Sequence, residues 1–385
     1  MSATRLIYAF VLYFGLAAGV KAGEVPIPAD SLIFECDTVC APQRVEHSST
    51  NWIRQLIQNG GHINDPSMDY PAFPRFIVNV YNWGNRVFNS YDTAYVVGTG
   101  KNWKVILRNQ AWMQSYMLLF SPRSRDMLHL RSDLYDDVGA YLSFMAVSVG
   151  YTAKLNSLLG GASNHRETFN FNFTSSRIYG NFEYVSTDGG ARITHFGKYN
   201  DGKSFSYPFD AISHLSYRAQ VYYFLNHMKY SQAAAYCYSK YQLKSAGSAI
   251  VGLSFNHQKI NMDFSGLPAD MKAFLPSLEN TYRFRYSDYC LTGGYGCNYA
   301  IRPRRWLFNI TTLASVGYRH SYKGTVHGDR DIVALDLGLR FALVYNHRSL
   351  FATLNGNFNG SLYFNKDYTF FNSIEQVSFA VGARF

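Results

Sequence analysis

The chain has 385 residues, with 36 Lys or Arg against 26 Asp or Glu, a formal charge of +10. Only 16% are charged and 17% are aromatic, the reverse of a disordered chain, which is rich in charge and poor in aromatics. Past the N-terminus no apolar run approaches the roughly 18 residues of a transmembrane helix, so a helical membrane bundle is excluded.

In chain order, Arg5 precedes the apolar stretch 6–20, and Lys21-Ala22 precedes Gly23. A positive start, a short apolar segment and a small residue at the cut predict a secretory signal peptide over 1–22. Export turns the basic balance away from nucleic acid and toward acidic lipid headgroups. In an oxidising compartment, Cys36 and Cys40 are close enough to be candidates for a small disulfide loop. Cys290 and Cys297, seven apart on one predicted strand, point to opposite faces and do not suit a bridge. Residues 23–90 are predicted as a periplasmic N-terminal segment with short helices: Trp52, Ile53, Leu56 and Ile57 have helical spacing, as do Phe73, Ile77, Val80 and Tyr81.

From about residue 91 the period is two. Leu215, Tyr217, Ala219, Val221, Tyr223 and Leu225 alternate with His214, Ser216, Arg218 and Gln220. Every odd position from Val333 to Tyr345 is apolar, with Asp336, Gly338 and Arg340 between. Val377, Phe379, Val381, Ala383 and Phe385 alternate with small or polar residues. Such runs reach 12 or more residues, which exceeds a sandwich strand and suits one crossing a bilayer in roughly 9–11 residues with overhang. The apolar face then meets lipid and the polar face lines a lumen. The sheet must close, because an open edge in hydrocarbon leaves backbone groups unpaired.

The predicted strands are 102–109, 125–131, 139–155, 166–174, 177–186, 213–226, 245–258, 281–300, 305–320, 332–346, 349–364 and 374–385. Short connectors at 175–176, 301–304 and 347–348 alternate with long ones at 186–213, 259–280, 321–331 and 365–373. That is the arrangement of an outer-membrane barrel, short turns on one side and long loops on the other. The connector 227–244 breaks the rule, being far too long for a turn. The fold class expected is all-β: a transmembrane antiparallel β-barrel of about 12 strands over 91–385, with ten or fourteen also compatible. Its last residue, Phe385, resembles the C-terminal signal read by the outer-membrane barrel assembly machinery.

Tyr91-Asp92-Thr93-Ala94-Tyr95-Val96 with the preceding Asn89-Ser90, then Gly100-Lys101-Asn102-Trp103, resemble the opening of an uncharacterised Bacteroidota outer-membrane barrel family. Lys244-Ser245-Ala246-Gly247-Ser248, Gly294-Tyr295-Gly296-Cys297-Asn298 and Trp306-Leu307-Phe308-Asn309 are similar to it as well. The resemblance spans about 75–385. It implies location in the outer membrane of a Gram-negative bacterium and the barrel fold, and brings no activity with it.

Chemistry is sparse. Gly98-Thr99-Gly100-Lys101 fails as a phosphate loop, since Tyr95 and Asn102 stand where Gly and Ser/Thr are needed. No His, Cys or carboxylate spacing fits a metal, and no cofactor is expected. A lipid hydrolase needs a Ser nucleophile and a His base within hydrogen-bond reach. His214 and Ser216 are the nameable candidates, although same-face neighbours on a strand lie about 7 Å apart. Glu183, Arg218, Asp336, Arg340 and Arg384 share inward parity and are expected to form a charge ladder across the lumen. The predicted role is structural, adhesive or passive transport at the cell surface, with a barrel-embedded lipid hydrolase as the alternative. The expected partners are outer-membrane lipids and lipopolysaccharide.

Overall fold

The computed structural model describes residues 51–59, 63, 68–88, 90–101, 103–120, 126–144, 147–154, 165–322, 331–364 and 368–385. The predicted signal peptide and the Cys36/Cys40 pair lie outside them. Described residues up to Ser90 form one compact unit and 91–385 a second. In the first, α1 (Trp52–Gln58) starts at Asn51, whose side-chain oxygen accepts the Ile53 N–H at 2.9 Å. The second helix, α2 (Ala72–Phe88), leaves Phe73, Phe76, Ile77, Val80 and Trp83 exposed along one face.

The second unit is antiparallel sheet. In chain order its strands are β1 (Val96–Gly98), β2 (Trp103–Leu119), β3 (Met127–Ser132), β4 (Tyr135–Phe144), β5 (Val147–Lys154) and β6 (His165–Thr174). They continue as β7 (Ile178–Asp188), β8 (Ala191–Phe196), β9 (Tyr207–Phe209), β10 (Ile212–Phe224), β11 (Lys240–Gln242) and β12 (Ala246–Asp263). The last five are β13 (Thr281–Arg302), β14 (Trp306–Ser321), β15 (Asp331–His347), β16 (Leu350–Phe364) and β17 (Thr369–Arg384). Two short helices, α3 (Gln232–Tyr236) and α4 (Ala269–Lys272), interrupt them. Pairing runs β6-β7-β10-β12-β13-β14-β15-β16-β17-β2. The first half of β2 then pairs β4, which pairs β5, while its second half pairs β3. Since β3 and β4 are one stave broken at Asp133-Leu134, the described residues form twelve staves, in line with the expected number of about 12.

The stave boundaries differ from the sequence reading in several places: β2 runs to Leu119 instead of 109, β12 to Asp263 instead of 258, β17 starts at Thr369 instead of 374, and β8 and β9 lie inside the predicted connector 186–213. The predicted strand 139–155 is a hairpin: Phe144 pairs with Val147, so the chain reverses between them. In the sequence, Met145-Ala146 carries none of the Gly, Asn or Asp signature of a tight turn, so parity ran through unbroken. The two ends of the wall are also unequal. Past Gly189 and Gly190, both at φ +71°, the chain of β7 continues as β8 and pairs with β3. There the ring closes through ten staves. Toward the turn end the short strands β5 and β6 are inserted between β4 and β7. Across that seam Arg166 of β6 reaches Asp137 of β4 at 2.8 Å, its guanidinium stacked on Trp112 and Tyr135.

Burial is inside out. On β13, Asp288, Cys290, Thr292 and Asn298 are buried inward, while Tyr289, Leu291, Tyr295, Tyr299 and Ile301 are exposed outward, Leu291 at 67%. On β10, His214, Ser216 and Arg218 are buried, and Val221 and Tyr223 are exposed. A water-soluble domain buries the opposite set. Farther toward the loop end the parity holds but the chemistry swaps. Arg283 and Arg285 face out over buried Tyr282, Phe284 and Tyr286, and Lys259 and Asp263 face out beside buried Ile260 and Met262. From Tyr289 to Ile301 the strand climbs roughly 40 Å, or roughly 30 Å along the barrel axis at a tilt of about 40°. That matches a hydrocarbon layer of about 30 Å. Above it the barrel interior is an apolar core, in which Phe284 stacks on Phe370 at 4.2 Å and Phe209 on Phe264 at 4.8 Å.

Candidate functional site in the barrel lumen

The long connector after β10 does not hang outside the wall. Ser231, α3 and Tyr238 are buried, and the polar residues of the inner wall hold them. The Ser231 hydroxyl caps α3 by accepting the Ala234 N–H at 3.3 Å. From β13, Asn298 Nδ2 donates to the Ser231 carbonyl and to Gln242 Oε1, both at 2.9 Å. From β14, Asn309 Nδ2 donates to the Tyr230 hydroxyl at 3.1 Å, and its oxygen accepts the Tyr236 hydroxyl at 2.9 Å. Lys104 Nζ donates to the Cys237 carbonyl at 2.7 Å. Burial pushes the Tyr230 hydroxyl up to about 12, so it stays a neutral donor and acceptor at physiological pH.

Tyr238 is the most constrained residue of this plug. Its φ is +58°, a region that bulky side chains rarely occupy and that costs about 1–3 kcal/mol. Its carbonyl accepts Arg384 Nε at 2.7 Å, its hydroxyl accepts Asn355 Nδ2 at 2.9 Å, and its ring lies 4.8 Å from that of Phe351. Opposite, Gly296 lets the plug seat against β13: a Cβ there would lie 2.5 Å from the Tyr230 hydroxyl oxygen. Gly296→Val is therefore expected to loosen the plug while sparing the wall. Limited trypsinolysis of refolded protein should show new cleavage at Lys229, Lys240 or Lys244 with the staves intact, and an unchanged digest would count against the packing described.

A two-stranded ribbon covers the same end. β1 pairs with β11, and Lys229 and Lys244 lie over the Tyr95 ring at 5.1 and 5.5 Å. The motifs that carry the family resemblance therefore converge. Tyr91 to Val96 form the cover, Ser248 accepts the Asn226 N–H at 3.0 Å, Gly296 and Asn298 seat the plug, and Asn309 ties it down. In the sequence this connector stands out by its length alone. Its anchors are isolated Asn, Lys and Arg residues on strands far apart in the chain.

The inward charges occupy different levels. Arg384 is bonded to the plug carbonyl and, at 2.6 Å, to Asn346 Oδ1. Arg340 donates to Gln220 Oε1 at 3.1 Å and stacks on Tyr179 at 5.0 Å. Arg218 and Glu183 stand in register on β10 and β7. Arg218 and Asp336 share the lining of a cavity, with Gln220, Ser254, Asn256 and Ser315, that has room for about one water molecule. Missed from the sequence was Asp288 with Arg319, a fully buried bidentate pair at 2.5 and 2.7 Å. His214 is buried on β10, its Nδ1 2.5 Å from Gln114 Nε2 and 3.0 Å from the Tyr116 hydroxyl. Ser216 is buried two residues on, and no hydrogen bond joins the two. Phe385 exchanges backbone hydrogen bonds with Trp103, closing β17 onto β2. Among the described residues no group of His, Cys, Asp and Glu is placed to hold a metal ion.

Residues 90–385 match a family described as a domain of unknown function (DUF4421). No curated protein matches the chain. Among solved structures, the outer membrane protease OmpT from Escherichia coli is 8% identical over 75% of this chain and 98% of its own, with a TM-score of 0.33. A bacterial polysaccharide outer membrane secretin is 8% identical over 74% and 99%, with a TM-score of 0.28. The translocator domain of the autotransporter NalP from Neisseria meningitidis is 13% identical over 74% and 89%, with a TM-score of 0.20.

Proposed function

The chain belongs to the DUF4421 family, and from that premise we propose that it is an outer-membrane β-barrel of a Gram-negative bacterium, shut by its own connector and serving at the cell surface as a structural or adhesive platform. The observation that carries this reading is the inside-out burial, with exposed Leu, Val, Phe and Tyr around a polar interior. The exposed apolar stripe of α2 suits a helix lying in the membrane–water interface. Removal of residues 1–22 and recognition of Phe385 by the assembly machinery belong to the same proposal. Lys259, Arg283 and Arg285 face outward just above the apolar band, and their charge supports the anionic headgroups of lipopolysaccharide as the partner there.

Passive transport is disfavoured because both ends of the lumen are occupied, by the plug at the turn end and by packed aromatic residues at the loop end. Planar-bilayer recordings of refolded protein are expected to stay at baseline. A steady single-channel conductance would overturn the closed-barrel reading and restore the pore.

A further inference from the structure

We propose that Ser115, His129 and Thr194, on the outer face of the barrel at the edge of the apolar band, form an acyl-ester hydrolase site acting on membrane lipid. The three residues stand on adjacent strands, β2, β3 and β8. Ser115 Oγ lies 2.7 Å from His129 Nε2, and Thr194 Oγ1 lies 2.8 Å from His129 Nδ1. The Thr194 hydroxyl also lies 3.2 Å from the His129 carbonyl. In the tautomer that the proposed chemistry uses, that hydroxyl donates to the carbonyl and accepts the Nδ1 proton, which leaves Nε2 to accept the Ser115 hydroxyl as a general base requires. A β-bulge builds this geometry. His129 pairs with His195 and Leu130 with Ile193, leaving Thr194 as the extra residue, turned toward the imidazole.

Position names the substrate class. Ser115 is in register with Ser373, four residues beyond Val377, the last exposed large apolar residue of β17 toward the loop end. That is the level of the headgroup–acyl boundary, where lipid ester carbonyls lie. Arg131 stands in register with Ser115, and Arg192 with Arg131, which places two cationic residues on the neighbouring strands, Arg131 Nε on Met113 Sδ and Arg192 Nε on Ser206 Oγ, each at 2.6 Å. Their charge suits an anionic lipid headgroup near the site. In the reaction Ser115 Oγ attacks the ester carbonyl as its proton passes to His129 Nε2. The C–O bond then breaks, and the leaving alkoxide takes that proton. Water, with His129 again as base, releases the fatty acid and regenerates the serine.

The inference rests on the outer-membrane reading for where its substrate lies, whereas covalent labelling in detergent does not depend on that reading. Refolded protein, its folding verified by heat-modifiable mobility, would be treated with a fluorophosphonate and mapped by mass spectrometry. It would also be assayed on p-nitrophenyl butyrate and on phosphatidylethanolamine vesicles. A single adduct on Ser115 is expected, with turnover on both substrates. Ser115→Ala should abolish labelling and turnover, and His129→Ala should slow turnover by about 10²–10⁴-fold. Thr194 acts as a positioning residue: Thr194→Val should lower turnover and Thr194→Ser should restore it. Folded wild type that neither labels nor turns over either substrate overturns the site, as does turnover unchanged in Ser115→Ala. Hydrolysis of the soluble ester alone overturns the lipid substrate.

Discussion

Arg319→Met is expected to cost about 3–5 kcal/mol of stability, the largest single-residue effect in the lumen, because it leaves the Asp288 carboxylate buried without its partner. Arg319 donates to both carboxylate oxygens, and to the Leu362 carbonyl at 2.7 Å and Ser361 Oγ at 3.1 Å, with its guanidinium 4.1 Å from the Tyr286 ring. Both side chains are wholly inaccessible to solvent. The pair itself need not add much over an apolar filling of the same volume, since both charges are taken out of water to make it. The double variant Asp288→Leu/Arg319→Met is accordingly expected to be more stable than Arg319→Met alone. Urea titrations of folding into lipid vesicles would measure both. A single variant within about 1 kcal/mol of wild type would show that the buried pair is not the interaction described here.

Leu291→Arg is expected to destabilise the protein in lipid vesicles by about 2–4 kcal/mol, the cost of a cation on the lipid face at mid-membrane. Arg285→Leu, six residues along the same outward face of β13, should have little effect, because that position stands above the apolar band. The contrast matters more than either value. In a water-soluble barrel an exposed Leu→Arg change would be close to neutral. Equal, small effects at 285 and 291 would therefore remove lipid from the outer surface.

Much of the wall was legible because strand parity is a local property. On β10, β13 and β17 the alternating residues separate into inner and outer sets without any knowledge of pairing. The β4–β5 hairpin was not legible, since Met145-Ala146 gives no turn signal. Nor was the exchange of apolar and polar faces at the loop end. Tyr282, Phe284 and Tyr286 look like a lipid face until their register with β12 places them inside.

The lumen was less readable than the wall. Glu183, Arg218, Asp336, Arg340 and Arg384 were grouped by parity, which fixes the face a residue points to but not its height along the axis. Their partners are set by stagger between strands. Arg384 answers to Tyr238, and Arg340 answers to Tyr179 and Gln220. The same limit hid Ser115 with His129 and Thr194, each unremarkable in its own strand, while His214 with Ser216 drew attention by proximity in sequence.

Nitroxide labels placed singly along β13 of the refolded protein in vesicles would test the outer apolar surface most directly. Collision with oxygen should be high at 289, 291, 295, 299 and 301 and low at 288, 290, 292 and 298, a period of two, while a water-soluble nickel chelate reaches 283 and 285. The nickel chelate reaching 291 and 299 as readily as 283 and 285 would mean that this face is bathed in water, and the membrane account would fail.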